Sequence, residues 1–213
     1  MARPDDIDAI VEVLTSAFFR DPLWGPVFDD DTRALDAAVM WRVFATSALR
    51  YPWTFVTQGR EAVAIWIPPG ETELTAEEDE GFTGVLERAA GVDSAQSIMR
   101  IYEQLDAAHP AEPYFYLSLL GVHDDYRGLG LGMALLEDTL THIDALGSPA
   151  YLESSNPANN ARYEAVGFRE RAQLEMESGH LVTTMWREAR TLEPERALRR
   201  GRRVGDPPRL RDR

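Results

Sequence analysis

The chain has 213 residues, no cysteine and a formal net charge of −14. That length supports one domain with a sizeable core, and the missing thiols exclude disulfides, a thiolate metal site and a cysteine nucleophile. So acidic a surface repels nucleic acid and favours cationic small molecules, while the lack of any run of about 18 apolar residues argues against a membrane span.

The spacing predicts a first helix from Asp5 to Phe18, with Asp5 as its N-cap and Ile7, Ile10, Val11 and Leu14 on one face. A loop carrying Trp24, Pro26 and Phe28 leads to a second helix over Thr32–Arg50. Trp53–Thr57 and Ala62–Ile67 read as a hairpin turning at Gln58-Gly59-Arg60, ended by Pro68-Pro69-Gly70. Thr75–Ala107 turns helical, as two helices broken near Gly91, the acidic run Glu77–Glu80 sitting where the helix dipole favours negative charge. Tyr114–Val122 is a long strand, Gly130–Leu146 a helix, Tyr151–Ser154 a strand and Asn159–Val166 a short helix. Arg169–Met176 and Leu181–Arg187 close the sheet as a hairpin around Ser178-Gly179. This order predicts an α/β fold, a mixed sheet with one βαβ crossover and helices on both faces.

Charge divides the chain. All 22 basic residues are arginine, and ten of them lie in 187–213, so that stretch carries +5 and 1–186 carries −19. Residues 1–187 are therefore read as the domain and 188–213 as an Arg-rich disordered tail. The polar, acidic first residues do not resemble a secretory signal, and a cytoplasmic location is the expectation.

Residues 122–136 read V-H-D-D-Y-R-G-L-G-L-G-M-A-L-L. A tight glycine turn followed by a helix presents several backbone N–H groups and the positive end of a dipole to one point, which suits a pyrophosphate. With no lysine in the chain this is not a P-loop, and without the acidic residue and βαβ context downstream it is not a dinucleotide fingerprint. Arg127, Gly130 and Gly132 resemble the Arg/Gln-x-x-Gly-x-Gly/Ala signature of the GNAT acetyltransferase superfamily. A second block agrees. Asn156, seven residues before Tyr163, and Gly167-Phe168 after it resemble the next conserved segment of that superfamily. Three details are similar to the puromycin N-acetyltransferase branch: Ala62–Trp66 followed by Pro68, His109-Pro110-x-x-Pro113, and Leu152-Glu153-Ser154-Ser155.

The resemblance implies a GNAT fold whose central parallel strands, here Tyr114–Val122 and Tyr151–Ser154, splay to admit acetyl-CoA. Its usual opening strand is expected to be short or missing, because only Met1–Pro4 precede the first helix. The implied cofactor-binding residues are Leu120, Gly121 and Val122 for the pantetheine arm and the acetyl carbonyl. Arg127, Gly128, Leu129, Gly130, Leu131, Gly132 and Met133 would hold the pyrophosphate. Asn156 and Asn159 compete for the cofactor amide contact: superfamily spacing selects the first, puromycin-type spacing the second. Tyr163 matches the general acid towards the departing thiolate, and Glu153 is the first choice for the base, against a strand glutamate satisfied by neighbouring amides. His123 lies beside the phosphate loop. His109, His142 and His180 show no ligand spacing, and surface or capping roles suffice for them. No metal is needed. The expected activity is acetyl transfer to a primary amine of a small molecule. The competing readings are a protein or peptide N-acetyltransferase and a non-catalytic acyl-CoA-binding module. A homodimer is the default that the resemblance brings.

Overall fold

A computed structural model describes residues 1–190; the tail expected beyond residue 187 falls outside it from residue 191 on. Helices α1 (Ile7–Phe18) and α2 (Arg33–Ala48) are followed by strands β1 (Thr54–Val56) and β2 (Ala62–Ile67). Helix α3 spans Ala76–Asp106, and then come β3 (Phe115–Val122), α4 (Leu131–Ala145) and β4 (Ala150–Ser154). The short α5 (Asn160–Ala165) precedes β5 (Arg169–Glu175) and β6 (Leu181–Arg187). The strands form one sheet in the order β1-β2-β3-β4-β6-β5. Every pairing is antiparallel except that of β3 with β4. This is the mixed α/β sheet the sequence predicts.

Local chemistry accounts for the elements. Strand β2, Ala-Val-Ala-Ile-Trp-Ile, is buried along its whole length, as a strand covered on both faces must be. The opposite edge, β5, carries Arg169, Glu170 and Arg171 and is mostly exposed, so its charges discourage edge-to-edge pairing. Helix α3 starts with a reciprocal cap: Glu78 N–H donates to Thr75 Oγ1 (3.2 Å) and Thr75 N–H to Glu78 Oε2 (2.8 Å). It breaks at Gly91, whose φ of 81° few other residues adopt.

The first helix starts later than its acidic residues imply. Pro4–Asp6 forms a 3-10 turn, and Asp6 rather than Asp5 stands at the N-cap. The Asp6 carboxylate does not cap α1: it accepts from Arg3 N–H at 2.8 Å and pairs with Arg60 at 2.7 Å. Ahead of this turn, Ala2 N–H bonds the Thr54 carbonyl of β1 at 2.7 Å.

Two apolar layers sandwich the sheet. Leu14, Trp41, Phe82 and Ile98 from α1, α2 and α3 pack on one face with Tyr116, Leu119 and Tyr151. Leu136, Leu140 and Ile143 of α4 pack on the other with Phe115, Leu117 and Leu152. Strand β3 changes allegiance part-way. Ile65 pairs with Leu119 and Trp66 with Leu117, leaving Ser118 as a bulge. Alternation shifts by one residue there, so Leu119 joins the α1 face and Gly121 meets α1, where an added Cβ would lie 3.1 Å from Ala17 Cβ.

One buried ion pair ties α4 to β6. Arg187 donates to both carboxylate oxygens of Asp144 (2.6 and 2.7 Å) and through Nε to the Val166 carbonyl (3.0 Å). Removing the acid strands a guanidinium that is 2% exposed. Asp144→Ala should therefore destabilise the fold by about 3 kcal/mol, read as a lower urea midpoint with an unchanged slope.

Candidate active site

Strands β3 and β4 pair only at Phe115 with Ala150 and Tyr116 with Tyr151. Beyond that point each remains bonded on its outer side, β3 to β2 and β4 to β6, and the two inner edges diverge. A cavity of about 610 Å³ occupies the opening. It runs from the glycine loop and the start of α4, past Leu120 and Val122, to a chamber between the sheet, α3 and the loop after α1.

The loop end is built for an anion. Gly128 and Gly130 have φ of 82° and 77°, and a Cβ on either would meet nothing within 4 Å. Gly130 caps α4 with no side chain, and the first intrahelical bond returns from Ala134 N–H to Gly130 at 2.9 Å. The amides of Leu131, Gly132 and Met133 therefore lack helical acceptors. At Gly132 a Cβ would lie 2.8 Å from Val122 Cγ2, so glycine lets the helix start press against the end of β3. These residues fit the diphosphate and pantetheine of acetyl-CoA: unpaired amides at a helix start, in a loop with space before it. Arg127 lines the same opening, but its guanidinium binds the Ala17 carbonyl (2.7 Å) and Asp124 (2.8 Å). It ties the loop to α1. Leu129 points outward, 68% exposed, and Gly121 faces α1 rather than the cavity.

Asn156 and Asn159 both border the cavity. The Asn156 side chain accepts from Ala158 N–H (3.1 Å), and the Asn159 side chain accepts from Arg162 (3.0 Å). Tyr163 stands on α5 with its ring edge-on to Phe168, centroids 6.2 Å apart. Its hydroxyl bonds no other described residue, and Tyr163 is among the residues lining the cavity. Burial, with the nearby charge of Asp21, raises its pKa to about 12, so it is a phenol able to donate a proton at neutral pH.

Glu153 occupies the far side of the parting, its side chain only 4% exposed. It is not satisfied by neighbouring amides. His109 Nε2 lies 3.1 Å from Oε1, a buried oxygen with no other donor among the described residues. His109 is thus a chamber residue, against the surface or capping role its spacing implied. A turn at the end of α3, His109 N–H to the Asp106 carbonyl at 3.1 Å, delivers it there. Of the other two, His142 stacks on Phe55 (6.0 Å) and His180 Nε2 contacts the Ser155 carbonyl (2.6 Å). His123 accepts from Asp125 N–H beside the loop (3.3 Å).

A second carboxylate, Glu73, comes from the segment between β2 and α3. It accepts a short hydrogen bond from the hydroxyl of Ser118, the bulged residue of β3. Its pKa is raised to about 7: burial pushes it up and outweighs the Ser118 bond, while Glu153 adds repulsion that His109 partly offsets. Aromatic side chains wall the chamber. Phe18 and Trp24 sit 4.9 and 5.8 Å from Trp41, and Phe44 lies 6.0 Å from Tyr102. The buried indole N–H of Trp41 has no acceptor among the described residues. Glu73, Ser118 and the role of His109 escape a reading by spacing. The only trace is a histidine before Pro110, just where the chain enters β3.

The fold is one shared with acetyltransferases. Residues 92–189 match the family model described as "Acetyltransferase (GNAT) domain". Solved structures share the fold. The "histone acetyltransferase HPA2 and related acetyltransferase" from Corynebacterium glutamicum is 21% identical, with a TM-score of 0.65 over 89% of this chain and 94% of that one. Arylalkylamine N-acetyltransferase 2 from Aedes aegypti is 16% identical, with a TM-score of 0.58 over 89% and 97%. An N-acetyltransferase from Staphylococcus aureus Mu50 is 16% identical, with a TM-score of 0.51 over 87% and 97%. No helix among the described residues is long and apolar enough to cross a membrane. No group of three or more metal-ligating side chains is present among them.

Burial alone would lower the pKa of His109, but contact with the Glu153 carboxylate overrides it and the net direction is up from 6.5. A raised imidazole pKa stabilises the fold below the unfolded value, and that contribution is lost as pH rises through the folded value. NMR titration should find the His109 midpoint above 6.5 in the wild type and lower in Glu153→Gln. An unmoved midpoint would refute the pairing.

Proposed function

We propose that the protein transfers the acetyl group of acetyl-CoA directly to a primary amine of a small molecule. The cavity carries the proposal. One continuous space joins the amide-lined loop, the open strand edges and the Glu153–His109 pair. Glu73, Tyr102 and Asp106 from the segment between β2 and β3 line it, as does Trp24. A chamber lined by that segment suits a compact acceptor better than a protein chain, which needs an open groove.

In this reading the free amides of Leu131, Gly132 and Met133 hold the diphosphate, and the inner edge of β3 pairs with the pantetheine arm. An amide on that edge polarises the acetyl carbonyl. Alignment of amine and thioester supplies much of the acceleration. Glu153 takes a proton from the acceptor's ammonium, with His109 bracing the carboxylate. The amine nitrogen then attacks the acetyl carbon, the carbon–sulfur bond breaks with its electron pair going to sulfur, and Tyr163 protonates the thiolate. The second nitrogen proton passes through water to the Tyr163 phenolate, and water clears the proton from Glu153. Glu153 and Tyr163 lie on opposite faces of the parting, so base and acid address the two sides of one transferred group.

Thiol release from acetyl-CoA over a panel of primary amines tests the proposal; no turnover with any of them, and none with peptides, would leave only a binding module. Tyr163→Phe should lower kcat more than tenfold while acetyl-CoA affinity, measured by calorimetry, changes less than twofold. Equal losses in both would make Tyr163 a packing residue. Gly132→Ala should do the reverse, weakening acetyl-CoA binding about tenfold as its Cβ pushes the helix start away from Val122.

A further inference from the structure

The chamber holds more negative charge than the transfer reaction requires. Glu153 has a partner in His109, whose raised pKa lets the imidazole meet that charge as a cation. Glu73 has none: no arginine or histidine among the described residues pairs with its carboxylate. The guanidinium that bonds this segment is engaged by its backbone. Arg50 donates to the backbone carbonyls of Thr72 and Glu73, the latter at 3.0 Å, and thereby fixes the segment without neutralising the side chain. Tyr51 braces the same segment through its hydroxyl, 3.2 Å from the Thr72 carbonyl. An anchored carboxyl facing a cavity, with no cation paired to it, is one that an incoming cation would hold in its charged form.

The surroundings specify the cation further. Glu73 reaches β3 at Ser118, the bulged residue, which lies two residues past the last pairing before the strands part. Glu153 is two residues past the matching pairing on β4. The two acids therefore flank the narrow end of the opening, close enough for each charge to repel the other. The aromatic side chains of Trp24, Trp41, Phe44 and Tyr102 also line the chamber. Glu153 Oε1, buried and with no donor but His109 among the described residues, waits in the same place.

We propose that Glu73 is the specificity-determining residue of the acceptor site: it docks the ammonium of a compact primary amine bearing an aromatic or bulky apolar group. The inference rests on the amine-acetylation reading and names its substrate class. The carboxylate selects the charged form on arrival, the aromatic wall takes the apolar body, and Glu153 removes the proton once the nitrogen lies beside the open strand edge. Neutral molecules of the same shape lose the docking contact. Acceptors lacking the apolar body lose the wall.

Calorimetry with phenethylammonium chloride at pH 8 in the presence of coenzyme A tests it without needing turnover. In Glu73→Gln the phenethylammonium Kd should rise at least tenfold while coenzyme A affinity stays within twofold. The neutral 2-phenylethanol should bind wild type weakly and lose nothing further in the variant. Glu73→Asp, which keeps the charge on a shorter reach, should recover part of the loss. In acetylation assays the KM for phenethylamine should rise at least tenfold with kcat within threefold, and the KM for aniline, neutral at that pH, should not move. Wild-type-like ammonium binding by Glu73→Gln would overturn the inference, as would equal losses for ammonium and alcohol. Wild type that binds phenethylammonium through Glu73 but acetylates no amine would sink the transfer reading and leave the docking role standing.

Discussion

The site exists because two parallel strands stop bonding one another. After Tyr116 and Tyr151, β3 and β4 share no further pairings, and the backbone groups on their inner edges face a cavity in the middle of a sheet. Unmet buried backbone groups cost about 1–3 kcal/mol each, so such an opening must be over-determined elsewhere. It is. Strand β3 is paired with β2 to its last residue and β4 with β6 along its whole length, while apolar layers hold both faces. The edges stay open because each strand is fixed from its other side. A ligand that supplies the missing partners gains what the fold leaves unsatisfied.

The Ser118 bulge makes the opening asymmetric. Without it, Leu120 and Val122 would face α1, and Gly121 would face α4. With it, Val122 meets the start of α4 at Gly132 and Gly121 takes the close approach of α1. The same extra residue places a hydroxyl where Glu73 bonds it. One insertion in a strand therefore arranges the anion-binding end and the acidic chamber together. A bulge beside a site that re-aims side chains is a common use of this irregularity.

Most of the fold was legible in the sequence, and for identifiable reasons. The unbroken apolar run of β2, the glycine loop before an apolar helix and the break at Gly91 each rest on local rules that tertiary context did not override. The anion cradle was legible for the same cause, since glycine spacing and a helix start are contiguous. The chamber was not. Glu73, His109, Ser118 and Glu153 come from four separate segments, and nothing periodic links them. The bulge was illegible too, because it depends on register with β2 and leaves no mark on the alternation of β3 until the partner is known. The first helix shows the converse error. Asp5 reads as its cap, but Asp6 stands at the N-cap and the distant Arg60 claims that carboxylate.

Charge now has a location rather than only a total. The acidity of residues 1–186 favours cations in general, but bulk charge steers encounter more than it selects. Selection needs a desolvated acid with no internal partner, and the chamber separates its two acids on that criterion. Glu153 is held by an imidazole and partly relieved. Glu73 is held only by a hydroxyl, a neutral donor that fixes direction without cancelling charge. Two carboxylates of the same composition thus differ through their neighbours, and in the proposed reading one exchanges a proton while the other docks the incoming ammonium. The division follows from which residue stands beside each acid.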